Sequence, residues 1–329
     1  MQTLRCCATW NDCLTIKKTE SGDIYSMAEH RILVLGRGGQ IGWELQRTLM
    51  PIGSVIAYGH NEIDLANAAS LQRVIQEVKP QVIVNAAAYT AVDRAEQEPE
   101  QAHAVNAMAP GVLAEEAKRL HALLVHFSTD YVYDGLKGAP YVETDATGPL
   151  GVYGQTKLEG ERAIEEVGGA YIILRTSWVY GSRGKNFLLT MLRLARERDI
   201  LRVVSDQIGC PTWSRWAAEM TAQIVGRVIE QGGEDGRYTG VYHLSGGGST
   251  SWHGFASAIV DLASRWPGFA LRARSVEPIS TAEYPTPAMR PQDTRLSTDK
   301  IRDTFGLAIT PWERQLELCM AELQERYSP

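Results

Sequence analysis

Short apolar runs alternate with longer stretches in which apolar residues recur every three or four positions. An unbroken apolar run bounded by glycine, proline or polar residues is typical of a strand buried on both faces, and the recurring pattern is typical of a helix with one apolar face. In the first half of the chain, strands are predicted at 32–35, 54–58, 82–84, 123–127 and 171–175. Helices are predicted between them, including one capped by Ser70 and one over about 102–120. This alternation predicts an α/β fold with a doubly wound parallel sheet.

Beyond residue 178 the alternation becomes less regular. Further helices and strands are predicted at 187–197, 201–204, 215–229, 241–245 and 251–263, followed by a proline-rich extended segment at 277–291 and two short helices. At 329 residues the chain is long for one domain, so two lobes are expected. We expect residues 27–180 to form the first domain, with segments near 205–245 returning to it. Residues 181–329 are expected to form mainly a smaller α/β lobe at the C-terminal end.

The first 26 residues precede this pattern. They contain no sustained apolar stretch, which argues against a secretory signal. Met27 stands directly before the first predicted strand, where a chain of this kind usually starts. We therefore expect residues 1–26 to be a dispensable extension that arises from translation at an upstream start codon.

Composition and charge narrow the classes of protein. The formal net charge is −6 and no block of lysine and arginine occurs, which argues against nucleic acid or an anionic membrane as a partner. No apolar run approaches the length of about 20 residues that a membrane-spanning helix needs. The five cysteines form neither a disulfide framework nor a paired zinc spacing, so a reducing cytoplasm is the expected location.

Three glycines, Gly36, Gly39 and Gly42, follow the first predicted strand and lead into an amphipathic helix. A side chain at the first would obstruct the tight turn. One at the second would keep a pyrophosphate from the backbone, and one at the third would hold the helix away from the strand. The freed amides and the helix N-terminus present positive partial charge to phosphate groups. A glycine triplet alone also fits an ordinary turn, but in this order of strand, glycines and helix it predicts a Rossmann-type dinucleotide site.

The residues after the second and third strands also concern the dinucleotide. A carboxylate after the second strand would favour NAD by binding the ribose 2′-hydroxyl. The chain has Tyr58-Gly59-His60 there, with no acid, and Arg37 in the glycine loop is suited to a 2′-phosphate. This favours NADPH, or the use of both NADPH and NADH. Small residues after the third strand, 86–88, would let a flat cofactor lie against the backbone, although they equally fit core packing.

Tyr153 and Lys157 are four residues apart and would project from one face of a helix. A phenol has a pKa of about 10, and a nearby ammonium would lower that pKa and ease proton transfer. Thr129, at the end of a neighbouring predicted strand, would hold a substrate carbonyl with its hydroxyl. The Tyr-x-x-x-Lys spacing alone is common on solvated helix faces. After the glycine loop and the Ser128-Thr129 pair, it predicts reduction of a carbonyl with hydride from the dinucleotide.

From about Arg31 to Leu323 the chain resembles the extended short-chain dehydrogenase/reductases, and among them the dTDP-4-dehydrorhamnose reductases. The glycine loop and the Tyr/Lys pair mark only the wider group. The resemblance also rests on V-N-A-A-A-Y-T-A-V-D (84–93), S-T-D-Y-V-Y (128–133), R-T-S-W-V-Y-G (175–181) and R-P (290–291). The D-Q-x-G-x-P-T loop (206–212), together with Trp178 and the position of Tyr131, is much more specific. Two departures are Tyr89, where the family more often has His or Phe, and the leader before Met27.

The resemblance implies a role for each residue that matches a family motif. Thr129, Tyr153 and Lys157 would be catalytic. The implied cofactor contacts are Gly36, Arg37, Gly39, Gln40, Ile41, Gly42, Asp64, Leu65, Ala86, Ala87, Ala88, Thr90, Tyr153 and Lys157. The implied substrate contacts are Thr129, Asp130, Tyr131, Trp178, Asn186, Gln207, Pro211, Thr212 and Arg290.

The implied reaction is reduction of the C4 ketone of dTDP-4-dehydro-6-deoxy-L-mannose to dTDP-L-rhamnose, a nucleotide sugar for cell-surface polysaccharide. Hydride would come from NADPH or NADH, and the proton from Tyr153. The family is also described with a magnesium ion near the position of Glu44 at a dimer contact, which implies Mg²⁺ and a homodimer. An ordinary solvated helix glutamate is the simpler interpretation of Glu44.

Two other functions stay open. A sugar-nucleotide epimerase of the same superfamily would hold NAD tightly and regenerate it in each turnover. A non-catalytic regulatory subunit would keep the fold and bind a partner enzyme, although intact Thr129, Tyr153 and Lys157 favour catalysis. A dehydratase is disfavoured, because Tyr131 stands where elimination of water would need a second carboxylate after Asp130.

Overall fold

The structure, a computed structural model, describes residues 30–233 and 236–327. The expected extension at 1–26 lies outside the described residues. The strands are β1 (His30–Leu35), β2 (Gly53–Tyr58), β3 (Val82–Asn85), β4 (Leu123–Thr129), β5 (Tyr171–Thr176), β6 (Val179–Tyr180), β7 (Ile200–Val204), β8 (Ile208–Gly209), β9 (Thr212–Trp213), β10 (Gly240–His243), β11 (Thr250–Ser251) and β12 (Ser275–Ile279). The helices are α1 (Gln40–Thr48), α2 (Ala68–Val78), α3 (Val92–Ala95), α4 (Pro99–His103), α5 (Ala109–Leu120), α6 (Val152–Val167), α7 (Phe187–Glu197), α8 (Ser214–Glu230), α9 (Trp252–Ser264), α10 (Asp299–Phe305) and α11 (Trp312–Tyr327).

Six strands form a parallel sheet in the order β10-β5-β4-β3-β1-β2. Its strands are apolar without alternation because helices cover both faces. In β1, Ile32 and Val34 belong to one core, and Leu33 and Leu35 belong to the core on the other face. The predicted fold class, a doubly wound parallel α/β sheet, is confirmed.

The two cores differ in extent. Within the described residues, the core around Leu33 is formed with α2, α5 and α6. The core around Val34 continues through α1 and α8 into α7, α9 and α11, so the C-terminal half packs against one face of the sheet. The strand β10 returns to the sheet edge beside β5, with Val241 opposite Ile173.

Short strand pairs hold the C-terminal half together. The strand β12 pairs in parallel with β7, β11 pairs antiparallel with β8, and β6 pairs in parallel with β9. The last pair joins the end of the loop 206–212 to the segment that follows β5, and the pair of β11 with β8 joins the middle of the same loop to the start of α9. Among the described residues, no helix combines the length and the apolar character that crossing a bilayer requires.

Several local predictions need correction. The helix predicted over 102–120 is divided into α4, a π-helical turn (Ala104–Met108) and α5. Pro110 at the start of α5 has no amide for the carbonyl of Asn106, and that carbonyl lies against Gly160 of α6 instead. The cap of α2 is Asn67, whose side chain accepts the amide of Ser70, so Ser70 is the donor and not the cap. The last helix, α11, is not short, since it has 16 residues.

Candidate active site

Strands β1, β3, β4 and β5 end at one edge of the sheet, and the segments that follow them contain most of the predicted site residues. The strand order reverses between β1 and β3, because the chain runs from β1 to β2 on one side and then crosses to β3 on the other. Ligands of doubly wound sheets bind in the crevice at such a reversal. The turns after β1 and β3 meet there, since an added Cβ at Gly36 would lie 2.8 Å from the nitrogen of Ala87.

The three glycines of the first turn meet different geometric needs. Gly36 has a φ of +91°, a backbone conformation that other residues rarely adopt. An added Cβ at Gly42 would lie 2.0 Å from the carbonyl oxygen of Gly36, so only glycine lets α1 pack on the turn. Gly39 is the N-cap of α1, and residues 37–39 are exposed, so the helix N-terminus opens to the surface. This arrangement fits a pyrophosphate.

Gln40 and Asn186 join the glycine turn to the segment after β6. The Gln40 side chain donates to the carbonyl of Val179 at 3.3 Å and accepts from Nδ2 of Asn186 at 3.0 Å. The Oδ1 atom of Asn186 caps α7 by accepting the amide of Leu189. The contacts of Asn186 are therefore with the chain itself, and its predicted contact with substrate stays a prediction. Ile41 is buried in the core beneath the turn.

The segment after β3, which includes the predicted cofactor residues 86–88 and Thr90, is held by a residue that sequence reasoning missed. Asn106, in the π-helical turn, accepts the amide of Tyr89 at 2.8 Å and donates to its carbonyl at 3.1 Å. Asn106 also contacts the hydroxyl of Thr156 in α6. One buried amide thus ties the segment after β3 to α6, the helix of Tyr153.

At the end of β2, the prediction that no acid is present is wrong. Glu62 returns to this place, where its carboxylate accepts the amide of Gly59 at 2.8 Å and pairs with Nε of Arg37 at 3.0 Å. The predicted residues Asp64 and Leu65 follow in the same loop. Asp64 uses Oδ1 to accept the amide of Ala66, and Leu65 packs on the core beside α2.

Thr129, Tyr153 and Lys157 come together, as the spacing predicts they would. Thr129 is the last residue of β4, and its hydroxyl donates to Oδ1 of Asp130 at 3.2 Å. Tyr153 lies in the first turn of α6, close enough to the Thr129 side chain for Thr129 to lower the pKa of the phenol. Gly154 makes this approach possible, because an added Cβ would lie 2.2 Å from the carbonyl oxygen of Tyr131. Tyr131, a predicted substrate contact, meets the ring of Tyr153 edge-on at 5.8 Å between centroids.

The prediction that Lys157 lowers the pKa of the Tyr153 phenol is wrong. Burial raises the pKa of the Tyr153 phenol to about 12. The side chain of Thr129 opposes this rise, and the charge of Asp130 adds to it. The phenol is therefore protonated at neutral pH, which suits a proton donor.

Lys157 is 1 % exposed, and its ammonium is held by groups beneath the site. Its Nζ atom donates to the carbonyl of Phe127 at 2.7 Å and lies 3.0 Å from Nε2 of His126. His126 in turn contacts Asn85 at 3.0 Å. Burial lowers the pKa of Lys157 to about 8, and the Glu161 carboxylate opposes that change. Sequence analysis had no signal for His126 or Asn85 as supports of Lys157.

Asp130 follows Thr129 directly and is 2 % exposed. Burial raises the pKa of its carboxyl to about 6, although hydrogen bonds from Thr294, Ser177 and Thr129 oppose the rise. The Ser177 hydroxyl donates to it at 2.8 Å. A buried carboxyl with a raised pKa at a strand end is typical of a functional residue.

Trp178 follows β5 in a strained backbone conformation, with a φ of +45°. Its ring is stacked on Trp252, with centroids 3.5 Å apart, and it packs so closely on Gly209 that an added Cβ there would lie 2.4 Å from the ring. Thr212 also fixes this residue, because its amide donates to the carbonyl of Trp178 at 3.3 Å. The loop 206–212 therefore sets the position of the indole.

Other predicted substrate residues contact the chain itself. Gln207 donates to Thr281 at 3.0 Å, and Pro211 and Thr212 are buried. Arg290 forms a bidentate salt bridge with the carboxylate of Asp93, at 2.9 and 3.0 Å. This salt bridge joins the proline-rich segment to the residues after β3. Contacts of these residues with substrate stay predictions.

Glu44 is buried on α1, not solvated, and its carboxylate lies 3.4 Å from Nε of Arg215 in α8. The same guanidinium pairs with Glu322 in α11. In the part of the chain that the structure describes, no group of three His, Cys, Asp or Glu side chains is arranged to hold a metal ion. These residues fit an arginine and not a magnesium ion, and no step below depends on a metal.

Known proteins are similar to this chain in sequence and in fold. A sequence model of the family described as "RmlD substrate binding domain" matches residues 30–325. The dTDP-4-dehydrorhamnose reductase of Burkholderia thailandensis is 47 % identical over 294 residues, which cover 89 % of this chain and 99 % of that protein. The enzyme of the same name from Escherichia coli K12 is 41 % identical, with 89 % and 97 % covered.

A solved structure extends the likeness to three dimensions. The dTDP-4-dehydrorhamnose reductase from Bacillus anthracis, in complex with NADP, has a TM-score of 0.80 and 34 % identity, and the match covers 89 % of this chain and 99 % of that one. The family match spans nearly all of the described residues and includes every predicted site residue. The chain belongs to the RmlD family, that of the dTDP-4-dehydrorhamnose reductases.

Proposed function

We propose that the chain reduces the C4 ketone of dTDP-4-dehydro-6-deoxy-L-mannose to dTDP-L-rhamnose, with NADPH or NADH as the reductant. The relatives named above carry this activity in their names, and the Bacillus anthracis structure holds NADP. The observation that carries the proposal is that Thr129 lies beside the phenol of Tyr153, whose pKa it lowers, one helical turn from Lys157. These are the groups that proton transfer to a positioned ketone needs.

The glycine turn and the N-terminus of α1 would hold the pyrophosphate. Residues 86–88 would lie along the nicotinamide half, in the crevice between β1 and β3. The bound dinucleotide supplies hydride to C4 of the sugar. Lys157 donates to the carbonyl of Phe127, and its remaining donors suit the hydroxyls of the nicotinamide ribose.

Tyr153 provides the proton. Because its pKa is about 12, the phenol is neutral at physiological pH, and an alkoxide forming at O4 is a stronger base than the phenolate left behind. The Thr129 hydroxyl, beside Tyr153, would hold the ketone oxygen between the two groups. As C4 gains hydride, the carbonyl π electrons move to O4, and O4 takes the phenolic proton to give the alcohol.

The sugar nucleotide would meet groups from both halves of the chain. The Asp130 carboxylate would accept a sugar hydroxyl, and the indole of Trp178, held by its stack on Trp252, would present an apolar face. A cytoplasmic location and a homodimer are part of the same proposal. They are supported by the cytoplasmic supply of NADPH and by the family resemblance.

The test combines purified protein, NADPH and dTDP-4-dehydro-6-deoxy-L-mannose, follows NADPH absorbance, and identifies the sugar by NMR. Tyr153→Phe should lower kcat by roughly 10²–10⁴-fold. Tyr171→Phe is the matched control, because Tyr171 starts β5 at the opposite edge of the sheet and its variant should react as the wild type does. A Tyr153→Phe protein that turns over at the wild-type rate would refute the assigned donor.

The same assay separates the alternatives. An epimerase would change the sugar with no net loss of NADPH and would copurify with NAD. A regulatory subunit would show no turnover alone and would bind a stoichiometric partner enzyme in a pull-down. Neither alternative is favoured by a specific observation among the described residues.

A further inference from the structure

At the end of β2, the carboxylate of Glu62 and the guanidinium of Arg37 lie side by side. The segment 59–62 turns back on itself, with the amide of Glu62 3.0 Å from the carbonyl oxygen of Gly59. This turn returns the Glu62 carboxylate to the strand end, where it accepts the Gly59 amide at 2.8 Å and lies 3.0 Å from Nε of Arg37. An acid thus occupies the place where this fold puts a ribose-binding carboxylate, although it comes four residues after Tyr58.

Backbone contacts fix this pair relative to the cofactor turn. The amides of Gly36 and Arg37 both donate to the carbonyl oxygen of Tyr58, at 2.9 and 3.0 Å. Gly59 leaves room for the arginine stem, because an added Cβ would lie only 3.3 Å from Cγ of Arg37. The acid and the base therefore keep their positions beside the N-terminus of α1, where the pyrophosphate would bind.

In a dinucleotide bound at this turn, the adenosine ribose reaches the end of β2. A carboxylate there accepts a hydrogen bond from the 2′-hydroxyl of NADH and repels the 2′-phosphate of NADPH, whereas a guanidinium binds that phosphate. We propose that Glu62 and Arg37 form an opposed selector, in which Glu62 favours NADH and Arg37 favours NADPH. The inference rests on the proposed function, because it concerns the choice of reductant at the same site.

The exposure of the two side chains determines how the selector works. The Arg37 side chain is 48 % exposed and that of Glu62 is 35 % exposed, so water screens the ion pair and the pair contributes little by itself. A 2′-phosphate can therefore take Arg37 from Glu62 without a large penalty. A 2′-hydroxyl can instead bond Glu62 while Arg37 stays in place. The protein should accept both dinucleotides with a modest preference, because each side chain offsets the other.

The test measures binding and not turnover. Calorimetry without sugar nucleotide gives the dissociation constants of NADPH and NADH, and those of 2′,5′-ADP and 5′-AMP, which isolate the 2′-phosphate. In Glu62→Gln the ratio of the two dinucleotide constants should shift toward NADPH by roughly tenfold, the worth of one charge-assisted hydrogen bond. In Arg37→Gln the ratio should shift toward NADH by a similar factor, and 2′,5′-ADP should lose most of its advantage over 5′-AMP.

Glu77→Gln is the matched control. Glu77 is exposed near the end of α2, beside the start of β3, so this variant removes the same charge at the opposite edge of the sheet. Its ratio should equal that of the wild type. An unchanged ratio in Glu62→Gln, or an equal shift in Glu77→Gln, would overturn the selector. Failure of the wild type to bind either dinucleotide would overturn the proposed function and the selector together.

Discussion

Replacement of Asp130 by asparagine should make the protein more stable at neutral pH and less active. Asp130 is 2 % exposed, and its burial raises the pKa of the carboxyl from 3.8 to about 6. The folded protein therefore binds this proton more tightly than the unfolded chain by about two pH units, each worth about 1.4 kcal/mol. At neutral pH both states are ionised, and the buried charge destabilises the fold by about 3 kcal/mol.

Urea unfolding at about pH 4 and about pH 7.5 measures this effect. In the wild type, the contribution of this carboxyl makes the free energy of unfolding fall as the pH rises from about 4 to about 6, and the contribution is constant above that range. The asparagine variant lacks this fall, and its amide oxygen can still accept the hydroxyl of Ser177. The variant should therefore exceed the wild type by about 3 kcal/mol at the higher pH and match it at the lower pH.

Asp134→Asn is the matched control, with the opposite sign. A hydrogen bond from the hydroxyl of Tyr141, at 2.6 Å, is the main cause that lowers the pKa of Asp134. Its carboxylate stabilises the fold above the unfolded pKa, and that stability is lost as the pH falls through the folded pKa. Asp134→Asn should therefore be less stable than the wild type at about pH 7.5. A stability gain for Asp130→Asn that is equal at both pH values would refute burial of charge as its cause.

The same substitution should slow the reaction. The charge of Asp130 raises the pKa of Tyr153, so its removal should lower that pKa and move the alkaline limit of the rate profile to lower pH. If Asp130 binds the sugar as proposed, loss of its carboxylate would also raise KM. Active-site residues often destabilise the fold, because activity requires groups that the fold alone would not favour. For Asp130→Asn we therefore expect a gain in stability together with a loss in kcat/KM.

Three further substitutions, one of them with a matched control, test the packing around the site. Gly42→Ala places a Cβ 2.0 Å from the carbonyl oxygen of the first glycine and should weaken NADPH binding about tenfold or more in calorimetry. Gly38→Ala, where a Cβ meets no atom within 4 Å, should bind as the wild type does. Glu161→Gln leaves the buried guanidinium of Arg175 without its charged partner and should lower the free energy of unfolding in urea by about 3–5 kcal/mol. Asp93→Asn weakens the salt bridge to the proline-rich segment and should raise KM for the sugar nucleotide more than it lowers kcat; a change in kcat alone would contradict this.

The sheet is predictable from the sequence because its strands are buried on both faces. The strands that begin near Ile32, Val82 and Leu123 can be predicted from the local sequence alone. A short unbroken apolar run bounded by polar residues is typical of a strand that is covered on both faces. The glycine turn is predictable for a related reason: Gly36 and Gly42 meet backbone atoms at distances that no side chain permits. The carboxyl ends of parallel strands then bring the predicted site residues to one edge.

The supports of the site are not predictable, because they depend on contacts between distant parts of the chain. Asn106 holds Tyr89 from 17 residues away, through a π-helical turn that the helical pattern does not reveal. Glu62 is hidden for a different reason, since a tight turn returns it to the strand end that the sequence shows without an acid. Arg290 resembles a substrate-binding arginine in sequence, but only the fold shows that Asp93 already holds its guanidinium.

Burial moves the pKa values of Tyr153 and Lys157 in opposite directions. Burial favours the neutral form of each group, so it raises the pKa of the phenol from 10.0 to about 12 and lowers that of the ammonium from 10.5 to about 8. In free solution the two groups would exchange a proton with almost no preference. The spacing of Tyr153 and Lys157 predicts that both groups lie on one helix face, and the sequence shows that spacing directly. The opposite shifts of their pKa values arise from burial, which depends on segments distant in the sequence, so the spacing alone could not predict them.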